Sequence, residues 1–178
     1  EKNLAFKAID LLAKEIALAG EWQVSIRIEK HIPAQAGLGG GSSDAVAALV
    51  GMSHFWDIDN SAETIEAVAA KVGSDVPFFL RGGCGYFIGQ GQEFCHAIEP
   101  MKNPVVLVKT DAGVSTKEAY GRFDESPVIV PDKLLAHVEG AVSADNVPLF
   151  NNLEPAAASL APEIADAIEW LKAQGGIA

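Results

Sequence analysis

Apolar residues recur at helical spacing along the first part of the chain, with charged residues between them. One such stripe covers residues 4–19 and predicts a helix that ends at Gly20. Residues 24–28 then alternate between apolar and polar side chains, which is the period of a half-buried strand. A second helical stripe covers residues 45–56, and we expect its apolar side chains, including Phe55, to lie in the core.

The middle of the chain continues with a helix and a hairpin. Residues 60–63 have the spacing of a capping box, and the apolar face behind them predicts a helix that ends at Gly73. Pro77 argues against a helix interior in the segment that follows. Residues 84–88 and 93–98 are short segments separated by glycines, which predict an antiparallel hairpin.

The second half of the chain is richer in helices. We expect a continuous apolar strand over residues 104–109. Helices are expected to begin after Ser115, Pro131 and Pro162, and Gly175 should end the last of them. A further helix should follow residues 151–154, which have the composition of a helix cap.

The order of these elements predicts the fold class and the domain organisation. Helices and strands are mixed without the regular alternation of a doubly wound parallel sheet, so we expect an α+β protein. The pattern of charges and glycines changes over residues 99–103. We therefore predict two domains, at residues 1–100 and 101–178.

Composition limits the kind of partner. The chain has 24 acidic and 13 basic residues, and its net charge of -11 argues against nucleic acid or an anionic membrane. A phosphate ligand would need local donors and a divalent cation. The two cysteines and four histidines lack metal-ligand spacing, so we expect no metal site built from them. With no signal sequence or membrane-spanning stretch, we expect a cytoplasmic protein, with monomer and homodimer both open.

A glycine-rich segment at residues 33–44 carries the clearest chemical signal. It reads PAQAGLGGGSSD and runs directly into the helix predicted over residues 45–56. It lacks the Gly-Lys-Ser/Thr of a P-loop and the G-x-G-x-x-G pattern of a dinucleotide site. Glycines let the backbone approach a ligand closely, and the first helical turn adds unpaired N–H groups and a partial positive charge. We therefore expect a phosphate group to bind here.

This segment resembles the second motif of the GHMP kinases, the family of galacto, homoserine, mevalonate and phosphomevalonate kinases. The likeness is carried by Pro33, Gly37, Leu38, Gly39, Gly40, Gly41, Ser42 and Ser43. Residues 73–79, 113–116 and 151–154 resemble the branch of the family that acts on a cytidine diphosphate derivative of methylerythritol. The resemblance implies a ribosomal-protein-S5-domain-2-like N-terminal domain with a left-handed βαβ crossover, and a ferredoxin-like α+β C-terminal domain.

The same resemblance implies an activity and residues that perform it. The activity is ATP-dependent phosphorylation of the 2-hydroxyl of the methylerythritol unit, with Mg²⁺ as cofactor, in the non-mevalonate route to isoprenoid precursors. In the family, N–H groups of the glycine segment bind the ATP phosphates, and Ser42 or Ser43 adds a hydroxyl. Asp75 matches the catalytic aspartate, which removes or orients the proton of the acceptor alcohol. Thr116 and Tyr120 match the region that approaches the cytidine.

Simpler structural roles are open for several of these residues. Ser42 has the position of an ordinary helix N-cap. Asp75 has the position of a turn aspartate between a helix and a strand. Tyr120 has the position of a core tyrosine on a short helix. Asp44 is better explained by dipole stabilisation of the first helical turn than by metal binding.

Two other functions are also open. One is a different GHMP kinase, such as a homoserine or mevalonate kinase. The other is a nucleotide-binding module without turnover, because the family's N-terminal lysine motif and C-terminal glycine loop have no counterpart here. The chain begins within a helical pattern and ends where a helix gives way to a strand. We therefore expect further segments before and after it.

Overall fold

The protein forms two compact units. The structure is a computed structural model, and it describes residues 3–33, 36–58 and 62–177. The first unit contains the described residues up to 33 and those from 38 to 98. The second contains residues 99–177 together with 36 and 37. The units thus divide between residues 98 and 99, near the predicted boundary after residue 100, and the division into two domains stays a prediction.

Four helices and a hairpin make up the regular structure described in the first unit. In chain order they are α1 (Leu4–Glu15), α2 (Gly40–Phe55), α3 (Ala62–Val72), α4 (Val76–Arg81), β1 (Gly85–Ile88) and β2 (Glu93–Ala97). The two strands pair antiparallel, which confirms the predicted hairpin. The mixture of helices and strands agrees with the α+β prediction. The capping box at residues 60–63 lies partly outside the described residues.

The core of the first unit is built by the apolar faces of its helices. Leu12 of α1, Leu49 of α2, Val68 of α3 and Val76 of α4 are all fully buried and belong to one cluster. Each aliphatic side chain of this size contributes about 1.5–3 kcal/mol when it is removed from water. The stripes predicted for α1 and α3 are therefore confirmed as core faces. Phe55 is an exception, because it lies at the end of α2 with 78% of its surface exposed.

Leu12→Ala is expected to lower the free energy of unfolding by about 2–5 kcal/mol, because the vacated space cannot close completely. Leu12 has 0% of its surface exposed and lies in the central cluster. Urea unfolding followed by circular dichroism measures the change. Leu135→Ala is the matched control, since Leu135 is exposed and should lose less than about 1 kcal/mol. An equal loss in the two variants would contradict this account of the core.

The first helix ends earlier than predicted. It stops at Glu15, and Ala17 takes a left-handed conformation with φ of 47°. The Leu18 N–H then donates to the Ala13 carbonyl at 3.0 Å, a bond that commonly closes a helix C-terminus. The prediction that the helix ends at Gly20 is wrong because alanine supplies the turn that the sequence pattern assigned to glycine.

Two predicted strands are absent from the described residues. Residues 24–28 and 104–109 have no regular structure, and Val106 has 75% of its surface exposed. Apolar sequence gives a segment the tendency to extend, but a strand forms only when a neighbour accepts and donates its backbone hydrogen bonds. The described part of the chain offers neither segment such a neighbour. The only sheet there is the antiparallel pair β1–β2, so a βαβ crossover is not formed by these residues.

The second unit is helical in its described residues. Its elements are α5 (Thr116–Glu125), α6 (Asp132–Glu139), a 3₁₀ turn (Ala144–Asn146), α7 (Glu154–Leu160) and α8 (Pro162–Ala173). Helix α7 packs against both α5 and α8. The predicted starts after Ser115 and Pro131 are confirmed, whereas α8 begins at Pro162 itself. Gly175 follows the end of α8 with φ of 84°. No helix within the described ranges is long and apolar enough to cross a membrane.

Candidate active site

The glycine segment forms a turn that opens directly into α2. Gly39 is the N-cap residue of α2 and has φ of 65°, and Gly37 also has a positive φ of 69°. The helix begins at Gly40, so the N–H groups of Gly40, Gly41 and Ser42 have no acceptor within the helix. The first internal bond of this end joins the Ser43 N–H to the Gly39 carbonyl at 3.0 Å. Three consecutive donors are therefore presented at the positive end of a 16-residue helix.

The two serines of the segment have different surroundings. The Ser43 hydroxyl donates to the Gly40 carbonyl at 3.0 Å, a bond that ties it to the preceding turn. Ser42 is the third residue of α2 and is 8% exposed. Because Gly39 is the N-cap residue, Ser42 lies inside the helix, and the N-cap role considered for Ser42 is wrong. A phosphate contact by either hydroxyl stays a prediction.

The backbone of the segment lies against two side chains that leave little room for a Cβ. A Cβ added to Gly39 would come within 2.4 Å of Cζ of Phe79. One added to Gly40 would lie 3.2 Å from Cγ2 of Ile32. Gly39 and Gly40 therefore serve close packing, and a role in ligand approach stays a prediction. Sequence reasoning had no role for Phe79, although it quoted this residue within the motif at residues 73–79.

Asp75 precedes α4 as its N-cap residue. Its carboxylate makes no hydrogen bond to the helix, and it accepts only a long bond of 3.4 Å from the Ser74 hydroxyl. Asp75 is exposed, while the next residue, Val76, is fully buried and fixes the backbone in the core. The expectation that a strand follows Asp75 is wrong, because Pro77 occupies the first turn of a helix, where its missing N–H leaves no bond unmade.

The hairpin turn lies beside the Asp75 carboxylate. Gly91 has φ of 98°, and a Cβ added to it would lie 3.9 Å from Asp75 Oδ1. The neighbouring Gln92 side chain holds the turn, since its Oε1 accepts from the Gln90 N–H at 2.7 Å. The carboxylate is thus bordered by backbone and remains exposed to solvent. An exposed carboxylate that does not serve as a cap is available to a reacting group.

The glycine segment and Asp75 are held by the same packed helices. Helices α2 and α4 pack against each other, and Leu49 and Val76 lie in one cluster. The Phe79 ring at Gly39 belongs to the helix that Asp75 begins. The structure therefore brings the predicted phosphate-binding turn and the predicted catalytic aspartate into one part of the first unit.

A lysine that sequence reasoning missed lies near the same end of α2. Lys30 Nζ pairs with Asp44 Oδ2. Asp44 is the fifth residue of α2, beyond the first turn, so its expected dipole role is replaced by this ion pair. The positive charge of Lys30 could have been noticed from its position shortly before the glycine segment in a strongly acidic chain.

The predicted substrate residues lie in the second unit. Thr116 is the first residue of α5, and Tyr120 follows one turn later on the same side of the helix. Both are exposed, and Tyr120 has 53% of its surface in contact with solvent. The alternative of a core tyrosine is therefore wrong for Tyr120. Contact of either residue with a cytidine stays a prediction.

The described residues also bear on the expected Mg²⁺ and ATP. They contain no group of three or more histidine, cysteine, aspartate or glutamate side chains that could hold a metal ion. Mg²⁺ bound with a nucleotide needs only one or two protein ligands besides phosphate and water. The donors at the start of α2 and the exposed Asp75 carboxylate are compatible with a magnesium–nucleotide complex.

Known proteins resemble this chain along nearly its whole length. Residues 3–83 match the family model described as the GHMP kinases N terminal domain. A 4-diphosphocytidyl-2-C-methyl-D-erythritol kinase of Desulfitobacterium hafniense is 38% identical over 98% of this chain and 61% of its own length. The enzyme of the same name from Bacillus velezensis is 38% identical over 93% of this chain and 57% of its own length.

A solved structure gives the same result for the fold. The crystal structure of a 4-(cytidine 5'-diphospho)-2C-methyl-D-erythritol kinase superposes with a TM-score of 0.68 at 29% identity. The match covers 98% of this chain and 63% of the crystallised chain. The chain thus spans about three fifths of the length of the proteins that it matches. It has the α+β fold of these kinases and belongs to the GHMP kinase family.

Proposed function

We propose that the protein containing this chain phosphorylates the 2-hydroxyl of 4-diphosphocytidyl-2-C-methyl-D-erythritol with ATP. The observation that carries the proposal is the packing of the glycine turn at α2 against the helix that Asp75 begins. The likeness to kinases of that name over nearly the whole chain supports the choice of substrate. The two cysteines are free, as is usual in the reducing cytoplasm where we place the reaction.

Different residues of this chain are proposed to bind the nucleotide phosphates and to act on the acceptor hydroxyl. The N–H groups of Gly40, Gly41 and Ser42 bind nucleotide phosphate oxygens and stabilise their charge. Mg²⁺, when bound with ATP, neutralises further phosphate charge. As the acceptor oxygen bonds to the γ-phosphorus, the bond from phosphorus to the ADP oxygen breaks. Asp75 receives the hydroxyl proton or orients the hydroxyl for attack.

Positioning supplies most of the rate in such a reaction, because the protein needs no covalent step of its own. Here the two groups to be positioned are held by one core, since Val76 next to Asp75 packs with Leu49 of α2. Thr116 and Tyr120 are proposed to contact the cytidine diphosphate part of the acceptor. The exposed ring of Tyr120 is suited to stacking on a base.

An acceptor panel tests the proposed substrate. The full-length protein with Mg-ATP should release ADP with a kcat/KM at least about 100-fold higher for 4-diphosphocytidyl-2-C-methyl-D-erythritol than for mevalonate, homoserine or galactose. The reason is that a site built for a nucleotide-bearing acceptor leaves polar groups unpaired with the smaller alcohols. A coupled assay for ADP measures the rates, with EDTA in place of Mg²⁺ as the control. Preference for another alcohol would favour a different GHMP kinase, and nucleotide binding without ADP release would favour a binding module.

A further inference from the structure

Four phenylalanine rings form a row through the first unit, which we call the aromatic row. The Phe79 and Phe78 ring centroids are 5.1 Å apart, those of Phe78 and Phe87 are 5.8 Å apart, and those of Phe87 and Phe94 are 5.4 Å apart. All three pairs are edge-to-face, an arrangement that is favourable beyond simple burial. The guanidinium of Arg81 lies 4.2 Å from the centre of the Phe94 ring.

One end of the aromatic row touches the phosphate-binding turn. The edge of the Phe79 ring lies where a side chain of residue 39 would be, with Cζ and Cε2 at 2.4 and 2.5 Å from the position of an added Cβ. Gly39 has the left-handed conformation that starts α2. The ring therefore limits how far the Gly39 backbone can turn or shift. The direction of the N–H groups that follow Gly39 depends on that conformation.

The same phenylalanine lies one helical turn after Asp75. Its N–H donates to the Asp75 carbonyl at 3.4 Å across one turn of α4. Residues four apart on a helix lie on the same side, so the Phe79 ring and the Asp75 side chain leave the helix in similar directions. At the other end of the aromatic row, Phe87 lies on β1 and Phe94 lies on β2. The turn between these strands borders Asp75 at Gly91. The aromatic row thus links the glycine turn, α4 and the hairpin.

We propose that Phe79 is a positioning residue that holds the phosphate-binding turn in the conformation that presents its N–H donors to a phosphate. This inference rests on the proposed kinase function, and it assigns Phe79 no contact with a substrate. The ring keeps Gly39 in its left-handed conformation, so that the donors of Gly40, Gly41 and Ser42 face a phosphate before ATP binds. Preorganised donors bind more tightly because the free energy of ordering the turn has already been provided by folding.

A pair of matched substitutions in the full-length protein tests the proposal. Phe79→Leu should raise the KM and the Kd for Mg-ATP by about 10-fold, with kcat changed less and the KM for the acceptor alcohol nearly constant. Phe55→Leu is the control, since Phe55 lies exposed at the far end of the same helix α2. It should leave the Kd within about twofold. Titration with a nonhydrolysable ATP analogue measures the Kd.

A double-mutant cycle tests the contact itself. Gly39→Ala places a methyl group against the ring, so its effect on nucleotide Kd should be about 10-fold smaller when Phe79→Ala has removed the ring. The cost of the positive φ is the same in both backgrounds and cancels. Equal fold-changes in the two backgrounds would overturn the proposal. If a Gly39 variant fails to fold, the comparison of Phe79→Leu with Phe55→Leu decides alone.

The outcomes separate this inference from the function on which it rests. Nucleotide binding by the unchanged protein, with the same Kd in Phe79→Leu, would overturn only the role of Phe79. A loss of thermal stability in Phe79→Leu with unchanged Kd would have the same meaning, because a purely structural ring affects folding and not the turn. Absence of nucleotide binding by the unchanged protein would overturn the proposed function, and the positioning role with it.

Discussion

Asp75→Asn is expected to lower turnover by about 10²- to 10⁴-fold in the full-length protein, the effect typical of losing a general base. The amide has nearly the same shape as the carboxylate but cannot take up the acceptor proton. Since the Asp75 side chain makes no bond to α4 and is exposed, the fold should not depend on its charge. Single-turnover measurement of phosphoryl transfer gives the rate, and analogue titration should show Mg-ATP affinity within about twofold of the original.

The control for this variant is a carboxylate far from the glycine turn in the chain. Asp10→Asn removes an ion pair with Lys14 on α1, which is a surface interaction worth at most about 1 kcal/mol. Its turnover should equal that of the unchanged protein. Comparable turnover in Asp75→Asn would remove Asp75 from the mechanism. A large loss of nucleotide affinity in that variant would instead assign the carboxylate to the binding of the magnesium–nucleotide complex.

Gly39→Ala is expected to weaken Mg-ATP binding by about 30-fold or more. Alanine in the left-handed region costs about 1–2 kcal/mol, and its Cβ would lie 2.4 Å from the Phe79 ring. Overpacking of this kind adds about 1–3 kcal/mol, and each 1.4 kcal/mol corresponds to about tenfold in affinity. The turn can relieve the collision only by moving, and such a movement redirects the donors at the start of α2.

The matched control is a second glycine of the same helix. A Cβ added to Gly51 meets nothing within 4 Å, and this residue has ordinary helical geometry. Gly51→Ala should leave nucleotide affinity unchanged and raise the free energy of unfolding by about 0.5–1 kcal/mol, because alanine is the better helix former. Calorimetric titration and thermal unfolding provide the two measurements. Equal affinities in the Gly39 and Gly51 variants would contradict a phosphate site at this turn.

Local patterns in the sequence predict those parts of the fold that depend on residues close together in the sequence. The apolar faces of α1 and α3, the glycine turn before α2 and the β1–β2 hairpin were all expected, because spacing and glycine content determine them. Two of the failures, the absent strands, come from interactions between distant residues. Residues 24–28 and 104–109 have strand-like sequences, but no strand described in the structure pairs with them. The end of α1 differs because Ala17 adopts a conformation that its residue type does not favour.

The candidate site shows the same division. Motif residues could be assigned from the sequence, since glycines before a helix and an aspartate within residues 73–79 form continuous segments. The contact of Phe79 with Gly39 could not be predicted from the sequence. It joins α4 to the residue before α2 and depends on how the two helices pack. Helix α4 was also missed, since Pro77 is compatible with both a first helical turn and a loop. The packing of α4 against α2 is therefore needed to see that Phe79 contacts Gly39.

The apolar run at residues 105–108 has a practical consequence for work with this chain. Val105, Val106, Leu107 and Val108 expose between 47% and 75% of their surface. A continuous aliphatic strip that belongs to no described sheet is the kind of segment through which separate molecules join into intermolecular sheets. This strip is therefore the part of the described chain best suited to association between separate molecules, and it lies outside the glycine segment and the Asp75 motif in the sequence.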